Sequence, residues 1–373
     1  SSAATIEHIT IRNGVSANGG GMYITANAVV SNCVLHCNTA TGDPAGGGIL
    51  MSAAGAWVKN SIFTGNKATG GSSDGGAILM YSGNVKDCTF ITNNCYRWGG
   101  AIRMDGGTVL NSNFVSNRSN TGGPAAIQMR IGSPIVSNCF FRGNYAAGGG
   151  GAVQASAGTL DNCIIVSNTV ASDATGGGVC CAGALVNCCY IAYNKTLNND
   201  AGGAQVSSGT MRNCLVIGNY APRYGGGIRM DGGTLESCTL VGNQSGVAYG
   251  GIWNRFGTLY NLIIYSNTAP SSVNYDSSMA AFTYACTSPF RAGEGNTSSN
   301  PLFVAFGNGY GLSHIAGDYQ LRKGSPCVNT GTNQSWMALA KDLAGNPRIT
   351  NGRVDMGTYE RPNPKPGTVF QLK

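Results

Sequence analysis

Residues 99–117 read Gly-Gly-Ala-Ile-Arg-Met-Asp-Gly-Gly-Thr-Val-Leu-Asn-Ser-Asn-Phe-Val-Ser-Asn, and variants of this line recur along most of the chain. The closing asparagine returns as Asn38, Asn66, Asn93, Asn117, Asn144, Asn168, Asn194, Asn219, Asn243 and Asn267, at intervals of 24 to 28 residues. Fixed spacing of this kind marks one structural unit repeated. Five residues before the asparagine stands a Cys slot, held by Cys33, Cys88, Cys139, Cys163, Cys214 and Cys238, with Ser61, Ser112 and Leu262 as substitutes. The unit ending at Asn194 reads as one residue longer, so Cys188 or Cys189 takes its slot. Just before the slot runs a second series, Asn32, Asn60, Asn111, Asn138, Asn162, Asn187, Asn213 and Asn261, with Asp87 and Ser237 in it. A Gly pair, a small residue, an aliphatic residue and then a Met complete the unit, with Met51, Met80, Met104, Met129 and Met230 in the last place.

The period decides the architecture. Paired-helix repeats need roughly 33 to 47 residues, and 58 glycines would weaken helices by about 1 kcal/mol each relative to Ala. Ile102-x-Met104 and Ile228-x-Met230 alternate as a strand with one buried face does. About 25 residues hold three short strands and three turns, one rung of a parallel β-helix, and a leucine-rich repeat lacks its leucines here. The expected fold is all-β, a single-stranded parallel β-helix (solenoid) of about 10–12 rungs with an irregular C-terminal cap. Rungs about 4.8 Å apart stack equivalent side chains. Each Asn then donates its amide to the Asn of the next rung, which satisfies groups that would otherwise cost about 1–3 kcal/mol each. The Cys slot faces inward as a small apolar residue, and the Met column fills the lumen.

Composition sets bounds on partners. The chain has 23 basic and 16 acidic residues, a formal charge of +7, yet only 10% charged residues, against about 25% in an average soluble domain. The basic residues are dispersed, which argues against nucleic acid as a partner. No apolar run approaches the 18 residues of a membrane span, and no signal peptide is visible, so the start reads as a processed or trimmed end. Of 14 cysteines, seven belong to the inward slot and read as stacked core thiols, with rung-to-rung disulfides as the alternative. Cys286 and Cys327 stand outside the column and could pair. Cys180-Cys181 lacks metal-ligand spacing, and neither a cofactor nor a metal is expected.

Catalytic candidates are sparse. The histidines are His8, His36 and His314, far from the paired carboxylates or clustered bases that sugar cleavage requires. A repeated motif is the best candidate: Arg103-Met104-Asp105-Gly106-Gly107-Thr108 and Arg229-Met230-Asp231-Gly232-Gly233-Thr234. With Met inward, Arg and Asp point outward and can touch. The two copies lie five rungs, about 24 Å, apart, too far to form one active site, and read as surface ion pairs. Gln128, Gln154, Gln205 and Trp253 join them on an outward polar face that is a candidate for glycan binding.

Two resemblances then emerge. Gly75-Gly76-Ala77-Ile78 with Phe63-Thr64-Gly65-Asn66, and Gly99-Gly100-Ala101-Ile102 with Phe114-Val115-Ser116-Asn117, resemble the repeat of chlamydial polymorphic outer-membrane proteins. The stretches Asn300-Pro301-Leu302-Phe303, Gly317-Asp318-Tyr319-Gln320-Leu321, Asp342-Leu343-Ala344-Gly345-Asn346-Pro347-Arg348 and Val354-Asp355-Met356-Gly357-Thr358-Tyr359-Glu360 are similar to the closing segment of bacterial right-handed β-helix proteins of the choice-of-anchor Q type. The resemblance implies a right-handed helix on a secreted or surface-exposed bacterial protein. The expected function is structural or adhesive and non-catalytic, with self-assembly through the ends or a glycan as partner. The alternative is a polysaccharide-active lyase or hydrolase, or a glycan-binding module. Residues 1–300 are expected to form the helix, regular to about 269. Residues 301–360 are expected to cap the open end of the lumen, and 361–373 to be a Pro-rich tail with a strand-like segment at Val369–Leu372.

Overall fold

The computed structural model describes residues 4–72, 74–171, 176–277 and 282–362; the Val369–Leu372 segment lies outside them. The chain winds as a parallel β-solenoid of about 11 turns. Each rung contributes a methionine strand (Ile78–Met80, Ile102–Met104, Ile127–Met129), a valine strand (Asn84–Lys86, Thr108–Leu110, Ile135–Ser137) and a phenylalanine strand (Thr89–Ile91, Asn113–Val115, Phe140–Arg142). Strands of one kind pair in parallel, so Phe90 lies over Phe114 and Met80 over Met104. Three strands per rung is one too few. A fourth, two-residue strand follows the ladder asparagines from Asn38 to Asn243 and, together with Val15–Ser16 in the rung before them, builds its own ten-stranded sheet that ends at Gln244–Ser245.

Stacking in the lumen is in register from rung to rung, apart from a shift between Val179–Asn187 and Ala204–Arg212. The rings of Phe63, Phe90, Phe114 and Phe141 lie 4.8 Å apart from one rung to the next, the spacing of hydrogen-bonded strands. The column of Met51, Met80, Met104, Met129 and Met230 is fully buried beside them. Corners are made by residues that accept a left-handed backbone. The series of Asn32, Asn60, Asp87, Asn111, Asn138, Asn162, Asn213, Ser237 and Asn261 has φ between 44° and 56°, a region that Asn and Asp tolerate better than most residues. In the rung before Asn194 this place belongs to Cys188, φ 50°, and not to Asn187, which pairs with Asp161 and Arg212 inside the valine strand. Cys189 fills the inward slot, so that rung carries no extra residue. At the glycine pair the backbones of adjacent rungs nearly touch: a Cβ on Gly100 would stand 2.0 Å from the Ala125 carbonyl oxygen.

The ladder closes its own hydrogen-bond account. Asn117 donates its backbone N–H (2.9 Å) and side-chain amide (3.0 Å) to Asn144 Oδ1, and its second amide hydrogen to the Phe90 carbonyl (3.0 Å). Asn144 does the same to Asn168, and the pattern runs from Asn38 to Asn267. It goes one link further than the repeat, because Asn267 donates to Asn274. Each thiol of the Cys slot donates to the carbonyl two residues back, as Cys139 does to Ser137 (3.2 Å) and Cys163 to Asp161 (3.2 Å). Cys214 and Cys238 follow suit, as do Ser61 and Ser112. The slot therefore suits a small donor, which is why Ser and Cys interchange there, with the apolar Leu262 as the exception. All cysteines are free thiols, and burial pushes Cys88 up to about 12. Cys286 and Cys327 lie buried beside one another without a bond.

Among the described residues, the C-terminal segment packs on the outside of the rod. Its Phe303, Tyr319, Leu321, Cys327 and Met356 pack on Leu215, Ile217, Val241 and Ile263, which are outward residues of the phenylalanine strands. Thr358 exchanges hydrogen bonds with Thr239 (2.9 and 3.0 Å), and Gly357 N–H donates to the Asn261 carbonyl (2.8 Å). The segment thus lies along a flank of the later rungs. At the lumen's far end, Tyr275 and Phe282 meet edge to face at 5.2 Å and belong to the interior cluster. Within the segment, Asp342 accepts from the N–H groups of Ala344, Asn346 and Glu360, and Asp355 from those of Asn329 and Arg361.

Candidate functional site

The outward residues of the methionine strands form one file, Arg103, Gln128, Gln154, Cys180, Gln205, Arg229 and Trp253, paired rung to rung. Arg103 and Asp105 do meet, at 3.5 Å, but they are not the surface pair expected from the sequence. Arg103 is 7% exposed because residues of the neighbouring rungs fold over it. Asp74, from the turn one rung earlier, binds Arg103 and lies 3.5 Å from Arg97. Arg130, one rung later, clamps Asp105 with two bonds of 2.8 and 2.6 Å.

The second copy repeats this arrangement. Arg229 bridges Asp200 and Asp231, both at 2.9 Å; Arg223 approaches Asp200 at 3.9 Å, and Arg255 binds Asp231 at 3.0 Å. Gln205 also donates to Asp231 (2.8 Å). Two nodes of three arginines and two aspartates result, five rungs apart on one face. Sequence reasoning found their centres and missed Asp74, Arg97, Arg130, Asp200, Arg223 and Arg255. For Arg97 and Arg223 the signal was there in a longer repeat, Arg-[Trp/Tyr]-Gly-Gly-[Ala/Gly]-Ile-Arg-Met-Asp-Gly-Gly-Thr, at 97–108 and 223–234; the other four lie outside it.

Aromatic rings stand at each node. The Arg97 guanidinium lies 3.8 Å over Trp98. At the second node Trp253 receives Arg229 at 4.9 Å and Arg255 at 5.3 Å, and packs against Tyr224 and Tyr249. Cation–π contact and ion pairing together fix the guanidinium planes.

Electrostatics differ among Asp74, Asp200 and Asp231. Burial raises Asp74 above the ordinary range in spite of Arg103 and Arg97, and raises Asp200 in spite of Arg229 and Arg223. Burial also acts on Asp231, but hydrogen bonds from Gln205, Arg229 and Arg255, with the pull of the Arg229 charge, outweigh it and hold that carboxyl below the ordinary range. The first node has unmet polar atoms: Arg103 Nε and Gln128 Oε1 are buried without a hydrogen-bond partner, while Asp74 Oδ1 and Arg97 Nε face one another at 3.5 Å, too long for a good hydrogen bond. Buried groups in that condition commonly mark a place for water or a ligand.

Ladder asparagines and slot cysteines, by contrast, are interior and spend their polar atoms on the fold. No group of three or more His, Cys, Asp or Glu fit to hold a metal occurs among the described residues, and no described helix is long and apolar enough to cross a membrane. Compared with protein-family models, curated proteins and solved structures, the chain matches none.

Proposed function

We propose that this protein is a non-catalytic adhesive rod of a bacterial surface that holds an extended acidic glycan along the file from Arg103 to Trp253. The observation that carries this reading is the duplicated node. Two like Arg/Asp/aromatic clusters on one straight face, about 24 Å apart at the rung spacing, suit a ligand that is itself long and repetitive. The most exposed members of the nodes, Arg97, Arg130, Arg223 and Arg255, give each a cationic rim over aromatic rings. Each node nets a single positive charge, too little to follow a phosphate backbone. Binding is favoured over cleavage because each of the four aspartates is held by two guanidiniums, which leaves none placed as a general base. The resemblance of the repeat to chlamydial surface proteins and the low charge content support an extracellular setting. Association through the ends of the rod belongs to the same reading, and sedimentation at rising concentration tests it separately.

The test is binding of oligogalacturonate and a sulfated glycan to wild type and to the double variant Arg130→Ala with Arg255→Ala, with duplex DNA as comparator. Tenfold or greater loss in the variant, with intact ligand recovered afterwards, supports the reading. Shortened ligand would favour the lyase or hydrolase alternative, and equal binding by the variant would remove the face from consideration.

A further inference from the structure

A second place for a ligand lies where the C-terminal segment meets the rod. The 340–345 loop touches the rod at the Lys341 carbonyl, which accepts from Asn213 Nδ2 (3.4 Å), and beside that contact leaves a groove of about 600 Å³, lined on the rod side by Asp161, Asn162, Asn187, Arg212 and Asn213. That volume falls in the range of small-molecule sites, which favour crevices between structural units. Its floor is wired in advance. Asn187 donates to Asp161 Oδ1 (2.7 Å) and accepts from Arg212 Nε (3.1 Å) and Asn213 Nδ2 (3.3 Å). Arg212 stacks 4.1 Å over Trp336, whose indole N–H is tied to Glu236 (2.9 Å). The loop is equally fixed, since Asp342 holds it through the N–H groups of Ala344 and Asn346.

Two further observations point to a ligand. Asn213 is 1% exposed, lines the groove, and its Oδ1 has no partner. Around Leu343 the groove continues into a second compartment of about 400 Å³, lined by Ile164, Tyr190 and Tyr359. Planar amides, a carboxylate and a guanidinium therefore adjoin an aromatic and aliphatic patch. Charges in the polar half cancel, Arg212 and Lys341 against Asp161 and Asp342. Such a lining matches a molecule with hydroxyls on its edges and C–H groups on its faces, and without net charge.

We infer that this crevice binds a short neutral saccharide, two or three sugar units long, independently of the arginine face. The four tryptophans make the test self-locating: Trp336 lies beside the crevice, Trp98 and Trp253 on the arginine face, and Trp57 in an early valine strand. Cellotriose, mannotriose and triacetylchitotriose are titrated into the ¹⁵N-labelled full chain, and the four indole N–H signals are followed. The expected result is that at least one trisaccharide moves the Trp336 signal and leaves Trp98 and Trp253 in place. Asp161→Ala and, separately, the exposed-position change Ile164→Ser should each weaken that binding fivefold or more, while Arg130→Ala with Arg255→Ala leaves it unchanged. Unperturbed spectra of the remaining signals in each variant show that it is folded. If none of the three sugars moves Trp336, if both groove variants bind as wild type does, or if the arginine-face variant abolishes binding, the inference is wrong. Failure here leaves the acidic-glycan reading standing, because that reading is judged on acidic-glycan binding and its loss in Arg130→Ala with Arg255→Ala.

Discussion

Arg103 and Arg229 occupy equivalent places in two rungs, yet their surroundings make different demands. Arg103 is the more deeply covered, and Asp74, with no exposed side-chain surface, is its closest counter-charge. Removing one partner of a buried ion pair leaves the other charge uncompensated, at a cost of about 3–5 kcal/mol. Asp74→Asn is therefore expected to lower stability by about 3 kcal/mol in urea denaturation. Lys86→Ala, which breaks a pair exposed on both sides, should change it by less than about 1 kcal/mol. Equal effects would mean that water screens both sites alike. Thiols offer a second measure at this scale. Cys37 is the one cysteine classed as exposed, while the slot thiols are buried. Native alkylation followed by mass spectrometry should mark Cys37 first, and all 14 cysteines only after denaturation. Early labelling of Cys139 or Cys163 would contradict the closed lumen.

A strand column is stabilised one link at a time, so damage should be local before it is global. In Asn117→Ala, the Asn93 backbone N–H and amide lose their shared acceptor. Each buried group left without a partner costs about 1–3 kcal/mol. The expected outcome is a loss of 2 kcal/mol or more, on the order of two such groups, with faster hydrogen exchange at Asn93 and Asn117 and little change at Asn219. Protection unchanged at Asn93 would show that the ladder is not what holds that corner. These columns were legible in the sequence because a solenoid brings residue n against its own counterpart, so spacing alone reports contact. Asn38 to Asn267, the Met column and the Cys slot were all readable that way. Legibility ended where contact crosses between different columns. Asp74 reaches Arg103 from a turn one rung away, at 29 residues' separation, and no periodic series announces it. The fourth strand was missed because two residues are too few to show alternation.

At the scale of the whole molecule, the C-terminal segment turns a rod with equivalent sides into one with a dressed flank. Its position was hidden by reading it as a lid, although the outward pairs of the phenylalanine strand change from mixed ones, Thr89 with Ile91, Asn113 with Val115 and Phe140 with Arg142, to more apolar ones, Leu215 with Ile217 and Ile263 with Tyr265, in the rungs it covers. The fastening is chemically unusual. Arg348 is fully buried, donates to the carbonyls of Asp355, Gly357 and Thr358, and lies 3.1 Å from Glu360. That geometry is an ion pair's, but burial outweighs the pull of Arg348, and Asp355 and Asp342 stand nearby, so the Glu360 carboxyl is pushed up to about 9. In the unfolded chain it loses its proton near 4.5. Between these values the folded state binds more protons than the unfolded one, so stability must fall as pH rises. The contribution is complete below pH 4.5 and is lost as pH climbs through about 9. Wild type should accordingly show a falling thermal midpoint from pH 6 to pH 9, on the order of the several-degree shifts that each 1 kcal/mol produces. A hydrophobic dye should begin to bind near the upper limit as Leu215, Ile217 and Val241 are uncovered. Glu360→Gln keeps the acceptor for the Asp355 N–H but cannot ionise, and its midpoint should vary less over the same range. Parallel pH profiles for the two proteins would show that Glu360 carries its charge throughout and that the segment is held as a conventional ion pair.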